Sequence, residues 1–92
     1  MRLLGALPLP SAGVAVLRLF AGAREAAGVG RDVIDAESVA GVLAEAVRRY
    51  GDGFTKVLGS SKVWLDGEPA LGPEPTNADS EVAVLPPVSG GV

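Results

Sequence analysis

The residues best suited to chemistry in this 92-residue chain stand at its very end, in "LPPVSGGV", Leu85 to Val92. Gly90 and Gly91 have no side chain to pack, and holding them in one conformation forfeits much backbone entropy. Their use lies in being narrow. An extended Gly-Gly threads a channel that any Cβ would block, and it leaves the adjoining acyl carbon open to attack. A carboxylate there is inert until activated. Adenylation by ATP turns it into a mixed anhydride that a sulfur or nitrogen nucleophile displaces, and a chain used in this way needs no catalytic side chain of its own. Pro86 and Pro87 stiffen the exit from the preceding apolar run, so the terminus is expected to run free of the body.

Composition points the same way. There is no Cys and no His, which removes disulfides, Cys/His zinc sites, thiol nucleophiles and Ser-His-acid arrangements. The eleven acidic residues show no calcium-loop spacing. No metal and no cofactor bound by the chain itself is therefore expected. A net charge of −3, with eight scattered Lys and Arg, speaks against a nucleic-acid partner. No apolar stretch reaches the roughly 20 residues of a membrane span, so no membrane partner is expected either. The first dozen residues, "MRLLGALPLPSA", pair an Arg with a short apolar run that Pro8 and Pro10 interrupt. They read as a disordered extension rather than a secretion signal, and a cytoplasmic location follows. Gly28-x-Gly30 lacks the rest of a phosphate-loop signature and reads as two turn glycines.

The elements that must position the terminus can be read from periodicity. "GVAVLRLF" (13–20) is a strand; 21–30 holds at most a short helical turn; "RDVIDAE" (31–37) returns as a second strand. In "SVAGVLAEAVRRYG" one stripe of Val39, Val42, Leu43, Ala46, Val47 and Tyr50 predicts a helix, with Ser38 as N-cap and Gly51 as its stop. "SKVWLDGEPA" (61–70) is a strand with a hairpin turn at Asp66-Gly67, 71–80 is a loop, and "EVAVLPP" (81–87) is the last strand. A single apolar helix face between two hairpin-like halves must cover a sheet. The first and last strands then lie parallel at its centre. The expected fold is α+β, a β-grasp: a mixed sheet of four to five strands with one main helix across one face. The expected partition is an extension (1–12), a β-grasp domain (13–86) and a Gly-Gly tail (87–92).

Parity along the strands adds a surface. Phe20 shares its face with Arg18, Trp64 with Lys62 and Asp66, and Leu85 with Glu81. Three large apolar side chains from three strands thus fall on the face that charged neighbours mark as wet. Such a patch is expected to be a partner site; the alternative is that loops fold over Phe20 and Leu85 at their strand ends.

The chain resembles the small subunit of molybdopterin synthase (MoaD-like) and, more broadly, the ubiquitin-like sulfur carriers of the MoaD/ThiS family. The stretches that carry the likeness are "LRLFAGAREAAG" (17–28), "RRYG" (48–51) and "DSEVAVLPPVSGG" (79–91). The resemblance implies that Gly91 is adenylated by an E1-like adenylyltransferase using ATP and Mg, then thiocarboxylated from a sulfur donor, with Gly90 giving clearance. The tail would then enter the large synthase subunit, in a heterotetramer, to deliver sulfur in molybdenum cofactor biosynthesis. Phe20 and Leu85 match apolar interface positions, and the third such position aligns with Val63 rather than Trp64. With Pro86, Pro87 and Val88 these form the expected partner-binding set. Two departures stand out: the 71–80 loop is long, and Val92 follows Gly91. The β-branched Val92 would crowd a channel shaped for glycine, so removal by a C-terminal peptidase is expected. The same tail chemistry would also serve cysteine, thiazole or tRNA thiolation, or a ubiquitin-like protein modifier. A plain binding module with an unreactive tail is a third class.

Overall fold

The computed structural model describes residues 14–87. The expected N-terminal extension, and Val88, Gly90, Gly91 and Val92 of the tail, lie outside the described residues. Five strands form one mixed sheet in the order β2-β1-β5-β3-β4. β1 (Val14–Leu19) pairs antiparallel with β2 (Arg31–Asp35), Val16 opposite Val33. On its other side β1 runs parallel to β5 (Glu81–Leu85), Leu17 opposite Val82. β5 pairs antiparallel with β3 (Lys62–Leu65), which turns into the two-residue β4 (Glu68–Pro69). The turn is made by Asp66 and Gly67, with φ of 51° and 88°, the left-handed pair that matches a hairpin's twist.

Strict alternation decides which face is covered. Ala15, Leu17 and Leu19 of β1, Ile34 of β2, and Val82 and Val84 of β5 are buried. Against them lies α2 (Val39–Tyr50), whose Val39, Val42 and Ala46 are buried in turn. Ser38 caps α2 as expected, its Oγ accepting from Gly41 N–H at 3.1 Å. The 71–80 loop does more than connect. Its Glu74 and Gly72 carbonyls accept from Val39 and Ala40 N–H at 2.9 and 2.8 Å, satisfying helix donors that have no partner within the helix. Glu74 in turn holds the loop's bend: its carboxylate accepts from Leu71 and Gly72 N–H, both at 2.7 Å. Those backbone donors keep the carboxyl below its ordinary range.

Two further helices extend the expected single-helix layer. α1 (Ala21–Ala27) is two turns long rather than one, closed by Gly28 at φ 84°. α3 (Asp52–Leu58) follows α2 after Gly51 and was not among the expected elements. It supplies Phe54, the largest fully buried side chain, which meets Tyr50 edge-on with centroids 5.3 Å apart.

At the far end of α2, Tyr50 donates its hydroxyl to Asp32 of β2, and Arg49 donates to the same carboxylate at 2.9 Å. Tyr50, then the Val33 N–H and Arg49, hold Asp32 below its ordinary range despite burial. Burial, and next the Asp32 carboxylate, push the Tyr50 hydroxyl up to about 12. Glu45 completes the cluster, held at about 2 by hydrogen bonds from Arg48 and then Arg49. A raised tyrosine favours the folded state while the unfolded tyrosine is still protonated, below pH about 10. That stability is lost as pH climbs through the folded value near 12.

Two outcomes follow for this body. Phe54→Ala lowers the unfolding free energy by about 3–5 kcal/mol in urea titration, because the zero-exposure site cannot refill. Tyr50→Phe costs about 1–2 kcal/mol at neutral pH. It also lessens the fall in melting temperature expected of the native chain between pH 10 and 12, as thermal unfolding across that window will report.

Candidate functional site: the open face at the root of the tail

Among the described residues, the helices cover one face of the sheet and leave the other bare, and strand register sorts the bare face into rows. Across the middle run Arg31, Arg18, Ala83, Trp64 and Pro69, from β2 to β4. Behind them lie Val33, Val16 and Glu81. In front, β5 and β3 set Lys62 against Leu85, and the β1–β5 register, carried one pair further, sets Phe20 on Leu85's other flank. The front row is where the chain leaves the sheet through Pro86 and Pro87.

Phe20 reaches this row because the chain is held extended past the end of β1, with φ −123° and ψ 154°. Its N–H donates to Val84 O at 3.3 Å, and its carbonyl accepts from Ala23 and Arg24 N–H, the first turn of α1. The next residue, Ala21, takes φ 50°, a left-handed conformation a non-glycine residue adopts only under constraint. That bend turns α1 under the sheet and leaves the Phe20 ring above it. The Arg18 guanidinium stands 5.9 Å from the ring centroid and bridges to Glu81 at 3.0 Å. Phe20 is 40% exposed and Leu85 37%. Trp64 is half-buried.

A shallow groove of about 600 Å³ opens beside the exit, lined by Ser61, Lys62, Trp64, Leu85, Pro86 and Pro87 among others. Pro86 is half-buried and Pro87 exposed. Among the described residues, Lys62 is the one titratable side chain in its lining. The nearby Ser60 and Ser61 hydroxyls both donate to Val57 O, at 3.3 and 2.8 Å, closing the end of α3. Among the described residues, no three His, Cys, Asp or Glu side chains come together as a metal site, and no helix is long and apolar enough to cross a membrane. What the groove offers is apolar contact, one cation and a stiff prolyl exit.

Parity and the resemblance disagreed over one position, and the structure separates the two residues. Val63 pairs with Val84 and packs against the core on the helix side. The bare face presents Trp64. The described face therefore brings together Phe20, Trp64, Leu85, Pro86 and Pro87 and leaves out Val63. Lys62 was read only as a marker of the wet face; its place beside Leu85 depends on the β3–β5 register, which no local pattern encodes.

No family model matches the chain, and no curated protein matches it. Solved structures do. The crystal structure of the small archaeal modifier protein SAMP1 from Haloferax volcanii is 31% identical, with a TM-score of 0.76 over 86% of this chain and 100% of that one. The solution structure of SAMP1 from Methanosarcina acetivorans is 28% identical, with a TM-score of 0.71 over 87% and 98%. The complex of subunits 1 and 2 of the molybdopterin-converting factor from Helicobacter pylori contains a chain 20% identical, with a TM-score of 0.62 over 85% and 99%; this last is a likeness of fold. With the five-stranded mixed sheet, the parallel central pair and 31% identity across the whole of the Haloferax protein, the chain belongs to the ubiquitin-like, MoaD-like family of the small archaeal modifier protein SAMP1.

Proposed function

We propose that this chain carries sulfur on Gly91 for molybdopterin assembly, as the small subunit of a two-subunit synthase. The observation that carries the reading is the junction of an open apolar face, Phe20–Leu85–Trp64, with a prolyl exit leading to Gly90-Gly91. The body is a handle, and the tail does the work. Once Gly91 is terminal, by removal of Val92, its carboxylate attacks the α-phosphate of ATP·Mg on an E1-like enzyme and pyrophosphate leaves. A sulfide-level donor displaces AMP from the acyl carbon, leaving a thiocarboxylate. In the large subunit the sulfur attacks a carbon of the pterin precursor and displaces the oxygen that carbon bears, which leaves as water or phosphate. Water then cleaves the acyl–sulfur bond and restores the Gly91 carboxylate. No step needs a base, thiol or metal from this chain, and all belong to the cytoplasm, where ATP is at hand. The Helicobacter pylori complex of subunits 1 and 2 supports a large-subunit partner.

A second reading has its own observation. The similarity to two proteins described as modifiers, SAMP1 of Haloferax volcanii and of Methanosarcina acetivorans, favours attachment of Gly91 to a lysine amine. Both readings share activation and differ in the nucleophile. Delivery to cysteine, thiazole or tRNA would differ only in the acceptor.

Intact-mass spectrometry of the chain recovered from its own cells tests the first reading. The expected species lacks Val92 and has one oxygen replaced by sulfur, and it yields molybdopterin when mixed with the large subunit and precursor. Gly91→Val abolishes that yield while leaving the melting temperature unchanged, since 88–92 lie beyond the last strand. An intact Val92 in a fully active chain overturns the processing step, and high-mass lysine conjugates in place of thiocarboxylate favour the modifier.

A further inference from the structure

The bare face is electrically polarised, although the chain as a whole is acidic at −3. Arg31, Arg18 and Lys62 stand in the two rows that surround Phe20, Trp64 and Leu85 at the tail exit, and those rows contain no acid. Of the acids of this face, Asp35 and Asp66 lie toward the opposite end: Asp35 pairs with Val14, and the Asp66 carboxylate accepts from Glu81 N–H at 2.8 Å. Glu81, one row behind Arg18, is taken up by its bridge to that residue.

One pair in the cationic end is unfavourable to the free fold. Arg18 and Arg31 sit directly opposite on β1 and β2. Leu19 N–H donates to Gly30 O at 2.9 Å, so by the antiparallel alternation the neighbouring 18/31 pair is non-hydrogen-bonded, the kind whose side chains approach most closely. Like charges there destabilise the sheet. Arg18 has Glu81 for relief at 3.0 Å; Arg31 is exposed, with no ion-pair partner among the described residues. A repulsive pair at the rim of an apolar patch becomes favourable when a carboxylate is brought between the two guanidinium groups.

We infer that the cationic end of the bare face, Arg31, Arg18 and Lys62, is an orienting contact for carboxylates that rim the tail-receiving channel of the adenylating enzyme. This rests on the carrier reading above and names the chemistry of its partner: an apolar hollow for Phe20, Trp64 and Leu85, edged with Asp or Glu on the side where the tail enters. The acidic far end of the face is repelled by the same rim, so the polarity selects the one docking direction in which Gly91 points inward. Charge placed this way acts on encounter rate and register more than on the chemical step.

The measurement is ATP–pyrophosphate exchange by the E1-like adenylyltransferase of the same organism, with the full chain ended at Gly91 as substrate. Arg31→Glu is the informative variant because its two effects have opposite signs. It converts the 18/31 repulsion into a cross-strand ion pair, so the melting temperature rises by about 1–5 °C. It also raises KM about tenfold with kcat unchanged, and the gap from the native chain closes at high salt. Lys62→Glu raises KM likewise, whereas Asp35→Lys, on the same face but at the far end, leaves KM within about twofold. Native KM retained in Arg31→Glu and Lys62→Glu overturns the inference and leaves the carrier reading standing. An equal loss in Asp35→Lys also overturns it, since the effect would not be local to the tail exit. Absence of exchange with the native chain overturns the carrier reading, and this inference with it.

Discussion

The parallel pairing of β1 with β5 is the contact on which the rest of the molecule depends. It joins strands from the two ends of the described chain, so more than sixty residues of intervening chain are closed by one ladder. Closing so long a loop is entropically unfavourable but only weakly length-dependent. The burial of Leu17, Leu19, Val82 and Val84 on a single face offsets it. Because the two strands run the same way, both end at the same edge of the sheet. That shared edge is where Phe20 sits beside Leu85, where α1 departs and where the prolyl exit begins. An antiparallel arrangement would have placed the aromatic ring at the opposite end from the terminus.

Much of this was legible from one sequence because alternation and helical periodicity are strong here. The β1 and β5 alternation and the α2 stripe turn toward the core the residues their spacing implies, and the Ser38 cap and the Asp66-Gly67 turn form where their residues predict. α3 escaped because Gly51, Gly53 and Gly59 read as loop punctuation over a stretch too short to show a period. Its signal was nonetheless present: Asp52 in the first turn, then Phe54, Val57 and Leu58 at helical spacing before Gly59. Of the site, Phe20, Trp64 and Leu85 fall on one face by parity alone, but Lys62's position beside Leu85 and Arg31's opposite Arg18 require strand register. Register between distant strands is set by tertiary burial, and a single sequence carries no local record of it.

The 71–80 loop shows how an apparently idle insertion can be structural. Its carbonyls complete the N-terminal turn of α2, Thr76 Oγ1 donates to Ala36 O at 2.9 Å, and the Ser80 hydroxyl accepts from Asn77 N–H at 2.9 Å. Both hydroxyl-bearing residues are buried and satisfied. The loop thus ties the helix to the strand whose end leads to the tail, and the binding face inherits that rigidity.

The two borders of the sheet carry a final consequence. β4 is only two residues long and ends in Pro69, which has no N–H to offer a newcomer. β2, the opposite border, places charged Arg31, Asp32 and Asp35 along five residues. Neither border is a good template for strand addition. A small, half-apolar protein is in this way guarded against stacking strand on strand into fibrils, while its apolar side chains stay available on the flat of the sheet.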